Sequence, residues 1–414
     1  SKIVDKETSR VVNFQYESYS NSEVVENTFV NDHVMANNGP SSLTDNNSCF
    51  FAHNTFTIGR SAPNPYLGAF ENWEKHPLRK RLQTIQFDGG TVEFIYGQNR
   101  TDYLGEKALT EIQVRDSFNK LIKKIQFSYS YFDSKENCSE PECKRLRLDG
   151  LAIMDESGNQ KNYSFEYEYV NKLPKRGSLQ QDYLGFYNNN GVTGNSNSTT
   201  TYTPQLYFYP NQGQYSILPF QRINQANYQL IPGSVDLTPN SYSLTGLLKK
   251  VVYPTGGTSE FVYENNTFKF FGEEYIAGGA RVKSQTLKDG ANIAKKIDYV
   301  YEETDGSSSG YINNIPIYGY PHQFQLSPFS LYEAAVYDKP KGGIELTSGS
   351  FVGYSRVVEE ELGNGYTEYT YSSSKDFANV PETRLPTNGH QIFDVQNSYQ
   401  CSDALIDNSG YPSI

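Results

Sequence analysis

Hydrophobic and polar positions alternate with period two through long stretches of this chain, and one such stretch occurs twice. Residues 82–96 read LQTIQFDGGTVEFIY and residues 247–263 read LLKKVVYPTGGTSEFVY. Set side by side, Ile85 falls on Val251, Phe87 on Tyr253, Thr91 on Thr258, Glu93 on Glu260, Phe94 on Phe261 and Tyr96 on Tyr263. The gap lies in the turn, where Asp88, Gly89 and Gly90 face Pro254, Thr255, Gly256 and Gly257. The match resumes further on, with KKIQFSY at 123–129 against KKIDYVY at 295–301. Strand side chains point alternately to opposite faces, so each copy predicts a β-hairpin with one aromatic and one mixed face. Proline presets φ in a turn and glycine accepts positive φ without a Cβ clash, which places Gly89, Gly90, Gly256 and Gly257 in the turns. Self-similarity at this spacing is the mark of a repeat architecture.

Two more segments carry the pattern without close identity. In 146–169, Leu146, Leu148 and Ile153 lead to a turn at 155–159, and the chain returns through Tyr163, Phe165, Tyr167 and Tyr169. In 356–371 the turn is Gly363-Asn364-Gly365, followed by Tyr369 and Tyr371. An aromatic-x-Tyr ending recurs at Phe94/Tyr96, Phe127/Tyr129, Phe165/Tyr167, Phe261/Tyr263, Tyr299/Tyr301 and Tyr369/Tyr371. A lone hairpin is marginal in water, and cross-strand aromatic pairs add about 0.2–1 kcal/mol each. The expectation is therefore an all-β protein whose repeated hairpins share one extended, curved sheet with long loops. The alternative is an ordinary β-sandwich whose hairpins merely look alike. Phe94, Tyr96, Tyr129, Tyr167, Phe261, Tyr263, Tyr301 and Tyr371 are the expected structural residues. Of these, Tyr96, Tyr263, Tyr301 and Tyr371 should be buried against neighbouring hairpins.

The pattern divides the chain. Residues 1–75 read as a polar, β-containing lead-in, 76–170 as the first hairpin block, and 171–246 as a loop-rich connector with a solvated tract at 188–203. Residues 247–375 form the second block, interrupted by a Gly/Ser/Pro-punctuated excursion at 304–346. Residues 376–414 read as a tail continuing into a longer protein. Segments 105–122 and 277–294 are assigned as β rather than helix.

Composition narrows the function. The chain has 36 Lys and Arg against 47 Asp and Glu, a net charge of −11. That balance argues against a nucleic-acid surface, which needs basic groups to neutralise phosphates. Tyrosine is abundant, 34 residues beside 24 Phe and a single Trp. Tyrosine suits half-wet strands because its ring packs while its hydroxyl reaches water. No apolar run is long enough for a membrane-spanning helix. Among Cys49, Cys138, Cys143 and Cys401, the Cys138 and Cys143 pair closes a short loop suited to a disulfide in an oxidising compartment. Free thiols or half of a zinc site are the alternatives.

Candidate chemistry is sparse. His33, His53, His76, His322 and His390 are scattered, and neither a nucleophile motif nor a phosphate-cradling loop is present. Two carboxylates suffice for a glycosidase, and Glu93 and Glu260 hold equivalent repeat positions, although a strand carboxylate more often meets solvent or a cross-strand lysine. Asp155–Asn159 and Asp305–Ser307 lack the acidic spacing of a calcium loop. The expectation is no enzyme, no cofactor and no metal.

The stretch LLKKVVYPTGGTSEFVYENN at 247–266, with GGARVKS at 278–284 and KKIDYVYE at 295–302, resembles large secreted Bacteroidetes proteins related to the RHS/YD-repeat family. The likeness extends through RLRLDGLAIMDESGNQKNYSFEYEY at 145–169, LPKRGSLQQDYLGFYNNN at 173–190 and VGYSRVVEEELGNGYTEYTY at 352–371, with Leu184 where those relatives commonly have Trp. The family's autoproteolytic aspartates, C-terminal toxin and type IX sorting domain are not found in these residues. The resemblance implies a hairpin shell of RHS/YD-repeat type on a secreted or cell-surface protein, enclosing or displaying the rest of a longer polypeptide or a cargo such as a toxin. It also implies export, with outer-membrane secretion components as possible partners and neither nucleic acid nor membrane insertion. The alternatives are an adhesin or glycan-binding surface, and a type IX secretion cargo held by its export machinery.

Overall fold

The computed structural model describes residues 2–4, 9–20, 23–29, 32–36, 70–75, 78–135, 139–169, 172–191, 204–209, 217–226, 228–231, 233, 235–313, 315–326, 329–341, 350–372 and 376. The protein is all-β, and no α-helix occurs among the described residues. Its body is an antiparallel sheet of 14 strands whose spatial order follows the chain. We number these β1 (Lys2–Val4), β2 (Val11–Ser20), β3 (Leu78–Phe87), β4 (Gly90–Ile95), β5 (Glu111–Asp116), β6 (Leu121–Asp133) and β7 (Lys144–Asp155). They continue as β8 (Gln160–Tyr167), β9 (Leu248–Val252), β10 (Thr258–Phe270), β11 (Glu273–Asp289), β12 (Asn292–Val300), β13 (Arg356–Glu361) and β14 (Gly365–Thr370). The segments 105–122 and 277–294 lie in strands and their turns.

Both repeat copies form antiparallel hairpins in equivalent register: Thr84 pairs with Glu93 across β3–β4, and Lys250 with Glu260 across β9–β10. Gly89 and Gly256 lie in the turns, with φ of 86° at Gly256, and Gly257 closes its turn. Gly90 departs from expectation: it is the first residue of β4, and a Cβ there would lie 1.9 Å from the Arg115 carbonyl oxygen. Its glycine serves close strand approach rather than the turn itself.

The period-two pattern produces two unlike faces. On one, Ile125 stands between Ile112 and Ile153, and Leu151 between Phe127 and Tyr163. On the other, Glu166, Lys250, Glu260, Thr286 and Lys296 stand side by side across β8 to β12. Cross-strand ion pairs Arg115–Glu93, Lys124–Glu111, Lys250–Glu166 and Lys288–Glu260 lace the second face. Glu93 and Glu260 thus meet cross-strand cations. They lie six strands apart, roughly 30 Å along the sheet at 4.8 Å per strand, too far to act together on one glycosidic bond.

The tyrosines of the repeat act through their hydroxyls. Tyr96 donates to the Leu82 carbonyl at 3.2 Å, Tyr129 to Leu109 at 2.8 Å, Tyr167 to Leu148 at 2.7 Å, Tyr263 to Leu248 at 2.7 Å and Tyr301 to Val282 at 2.8 Å. Each hydroxyl reaches back to an aliphatic residue of the preceding strand or its entry. At Leu82, Leu148, Leu248 and Val282 the next residue, a polar one, is skipped by the ladder as a β-bulge. On its other side each of these four pairs with a tyrosine of the strand before: Tyr16, Tyr129, Tyr167 and Tyr263. Bulges disturb the ladder locally, and the phenol supplies a donor to the carbonyl beside each one. A line of tyrosine–carbonyl bonds therefore crosses the sheet. Tyr16 with Phe14 on β2 is an additional aromatic-x-Tyr pair, so every even-numbered strand carries one.

Tyr96, Tyr129, Tyr167, Tyr263 and Tyr301, with Phe94 and Phe261, are half-buried rather than buried. Tyr371 contradicts the expectation of burial outright at 54% exposure. It follows β14, the last strand of the sheet among the described residues, and no described hairpin stands beyond it to cover its ring. Cys143 is buried and disulfide-bonded. Its partner, like Cys49, Cys138 and Cys401, lies outside the described residues.

Candidate functional site at the insertion-bearing rim

In an up-and-down sheet successive connections alternate between two rims. One rim carries short turns: 88–89, 117–120, 156–159, 253–257, 290–291 and 362–364. The other carries the connections 21–77, 96–110, 134–143, 168–247 and 301–355, together with the two-residue turn 271–272 between β10 and β11. In repeat proteins insertions gathered on one face commonly form the binding surface. The insertions also meet each other. Asp32–Ala36, from the β2–β3 connection, pairs with Phe329–Lys341 from the β12–β13 connection, although β3 and β12 lie far apart in the sheet.

The buried core belongs to this rim. The connector 171–246 contributes Tyr183, Leu184, Leu206, Tyr209, Ile217, Leu218, Phe220, Val235 and Leu237. They pack on Phe268, Tyr275 and Ala277 at the rim ends of β10 and β11, and on Ile315, Tyr318 and Val352 from the β12–β13 connection. Phe220 is the hub, with ring centroids 4.9 Å from Tyr275, 5.3 Å from Tyr183 and 6.3 Å from Phe268. Polar ends are tied off: Tyr183 donates to the Ile276 carbonyl at 2.9 Å and Tyr318 to the Tyr183 carbonyl at 3.1 Å. Burial pushes the Tyr209 phenol up to about 12.

Beside this core lies a cleft of about 200 Å³, lined by Arg145 at the start of β7 and by Leu173, Pro174, Lys175, Ser178, Gln180, Gln181, Gly185 and Tyr187 among others. The Arg145 guanidinium donates to the Pro174 carbonyl at 2.6 Å. Next to the cleft, the Lys135 ammonium donates to Gln180 Oε1 at 3.0 Å and sits 5.7 Å from the Tyr187 ring. The lining offers hydrogen-bonding amides, hydroxyls and two cations, suited to holding a small polar group. A nucleophile poised beside a base is not among it. No group of three or more His, Cys, Asp or Glu with metal-binding geometry occurs among the described residues. No helix of the described residues is long and apolar enough to cross a membrane.

One acid at the rim stands out. Asp182 is 3% exposed. Its Oδ1 accepts from the backbone N–H of Leu184 at 2.8 Å and of Phe186 at 3.0 Å, fixing a tight turn that Gly185 completes by donating to the Asp182 carbonyl at 3.0 Å. Its Oδ2 is buried and has no hydrogen-bond partner. That oxygen faces Gly278, where a Cβ would lie 1.9 Å away, and the Phe186 ring fills the adjoining notch over Gly279. Burial raises the carboxyl to about 7 against the lowering effect of the backbone donors. The sequence signal for this site was the DYLGFY stretch and the Gly278-Gly279 pair, which reads as a strand edge until its partner is seen.

No family model matches the chain, and no curated protein matches it.

Proposed function

We propose that this chain is a non-catalytic wall segment of a secreted or cell-surface protein of RHS/YD-repeat type, whose hairpin sheet encloses or displays another polypeptide. The observation that carries this reading is the line of tyrosine–carbonyl bonds. It repeats the same contact from hairpin to hairpin across the sheet, so that the wall grows by addition. The pairing of rim insertions from distant strands supports a curved wall. The face bearing Phe127, Leu151 and Tyr163 is apolar and half-open, which suits contact with a polypeptide better than with bulk water.

A photo-crosslinking residue placed at Phe127, on that face, tests the reading in protein produced by its own cell. Crosslinks to another polypeptide, or to a distant part of the same one, are expected from Phe127 and not from Gln126 on the charged face. Equal labelling from both positions would defeat it. The rim cleft favours a second reading, a binding module for a small polar ligand such as a glycan. Saturable glycan binding that is lost in Arg145→Ala would favour it.

A further inference from the structure

The Asp182 turn is built in a way that a structural wall does not require. A buried carboxylate oxygen normally meets a donor, because removing an ionised carboxylate from water without one is costly. Here Oδ1 is satisfied twice by its own turn while Oδ2 is pressed against a glycine that leaves no room for a donor. Among the described residues, no charged group compensates it. On the turn the titratable neighbour is Tyr183, whose phenol is raised by burial and by Asp182. Tyr183 in turn meets the phenol of Tyr275 from β11, and its carbonyl accepts from the phenol of Tyr318 in the β12–β13 connection. From the segment around Leu237 comes a backbone carbonyl accepting from the Tyr183 N–H at 3.1 Å. Among the described residues, lysine, arginine and histidine are not among the groups acting on Asp182.

We propose that the Asp182–Phe186 turn is a proton-operated latch: neutral Asp182 seats in the Gly278–Gly279 notch and closes the connector onto the rim, and ionised Asp182 releases it. The same turn supplies Gly185, and its flanks Gln181 and Tyr187, to the lining of the cleft. Release therefore opens one wall of that cleft as well as the core beneath it. This goes beyond the wall reading and does not depend on it, since it concerns how the connector docks rather than what the sheet encloses.

The direction follows from linkage. The seated turn holds a proton that the released turn gives up at the ordinary carboxylate value near 3.9, so docking weakens as pH rises from about 4 and levels off above about 7. Seated burial places the upper end of that window at about 7.

Hydrogen exchange of the full chain at pH 5.5 and pH 8, corrected for intrinsic exchange chemistry, reads the latch at the Leu184 and Phe186 amides. Wild type should lose about thirtyfold of protection between the two conditions, the factor those two ionisation values give. Amides in the β9–β10 hairpin should not change. Asp182→Asn keeps the Oδ1 acceptor and cannot ionise, so it should hold its protection at both values. Unchanged protection in wild type, or an equal loss in Asp182→Asn, would overturn the proposal. If that variant does not fold, a carboxyl-carbon titration of wild-type Asp182 decides, and an ordinary carboxylate midpoint would overturn it.

Discussion

In the sheet, Phe127, Tyr163 and Phe261 stay half-buried, whereas at the rim Tyr183, Tyr209 and Phe268 are shut away from water. The sheet repeats one small contact many times: a ladder bond, a cross-strand pair, a phenol on a carbonyl. The rim makes many different contacts once, around a core that has no internal symmetry. Repeating structures draw stability from neighbour terms and can be extended without a new core. A single packed cluster depends on each of its members. The comparison teaches that extension and specificity are separated in this molecule, one in the strands and the other in their connections.

The sharpest way to break the comparison is Phe268→Ala. Phe268 is fully buried against Phe220 and Tyr275, and its loss should cost about 3–5 kcal/mol. Chemical denaturation followed by hydrogen exchange should show the connector released while amides of β5 to β8 keep their protection. Gly278→Ala comes next, because a methyl there collides with Asp182 Oδ2 and the Phe186 ring. Overpacking of this kind costs about 1–3 kcal/mol, read as a lower unfolding midpoint of the same rim unit.

A smaller effect tests the wall. Tyr263→Phe keeps the ring and removes the bond to the Leu248 carbonyl, and should cost about 1 kcal/mol, whereas Tyr371→Phe on the open edge should leave the urea midpoint unchanged. The same tyrosines set an alkaline limit. Burial raises the phenols of Tyr96, Tyr129, Tyr167, Tyr263 and Tyr301. A raised phenol favours the neutral form in the fold, so its contribution is whole below pH about 10 and is lost as pH climbs through the folded values. Urea midpoints between pH 8 and 11 should fall, and fall less in Tyr263→Phe. The smallest effect belongs to the charged face, where Lys288→Ala opens a half-exposed pair with Glu260 and should shift stability by about 0–1 kcal/mol.

The sheet was largely legible in the sequence and the rim was not, for a physical reason. A strand with two unlike faces writes itself as alternation, so 82–96 and 248–263 announce hairpins, and aromatic-x-Tyr announces the ring face. The pair Phe14/Tyr16 obeys the same rule but sits in a polar stretch that reads as a lead-in. The use of the phenol hydroxyl on a bulge carbonyl has no sequence period of its own. Leu206 and Ile217 open short apolar runs, LYFY and ILPF, too brief to show a period, and Val235 and Leu237 stand singly among polar residues; their burial arises from distant partners such as Phe268 and Val352. A core assembled that way leaves no local pattern, which is why 171–246 reads as a connector. Tyr371 reads like its siblings because sequence does not mark an edge.

The rim of short turns has a further bearing on how such a molecule can vary. Lengthening a flexible connection costs little, about 0.6 kcal/mol for each doubling, whereas lengthening a two- or three-residue reversal would shift which side chains face each other along a whole strand. Novelty can therefore accumulate on one side only, and the opposite margin acts as a fixed ruler against which every new ornament is spaced.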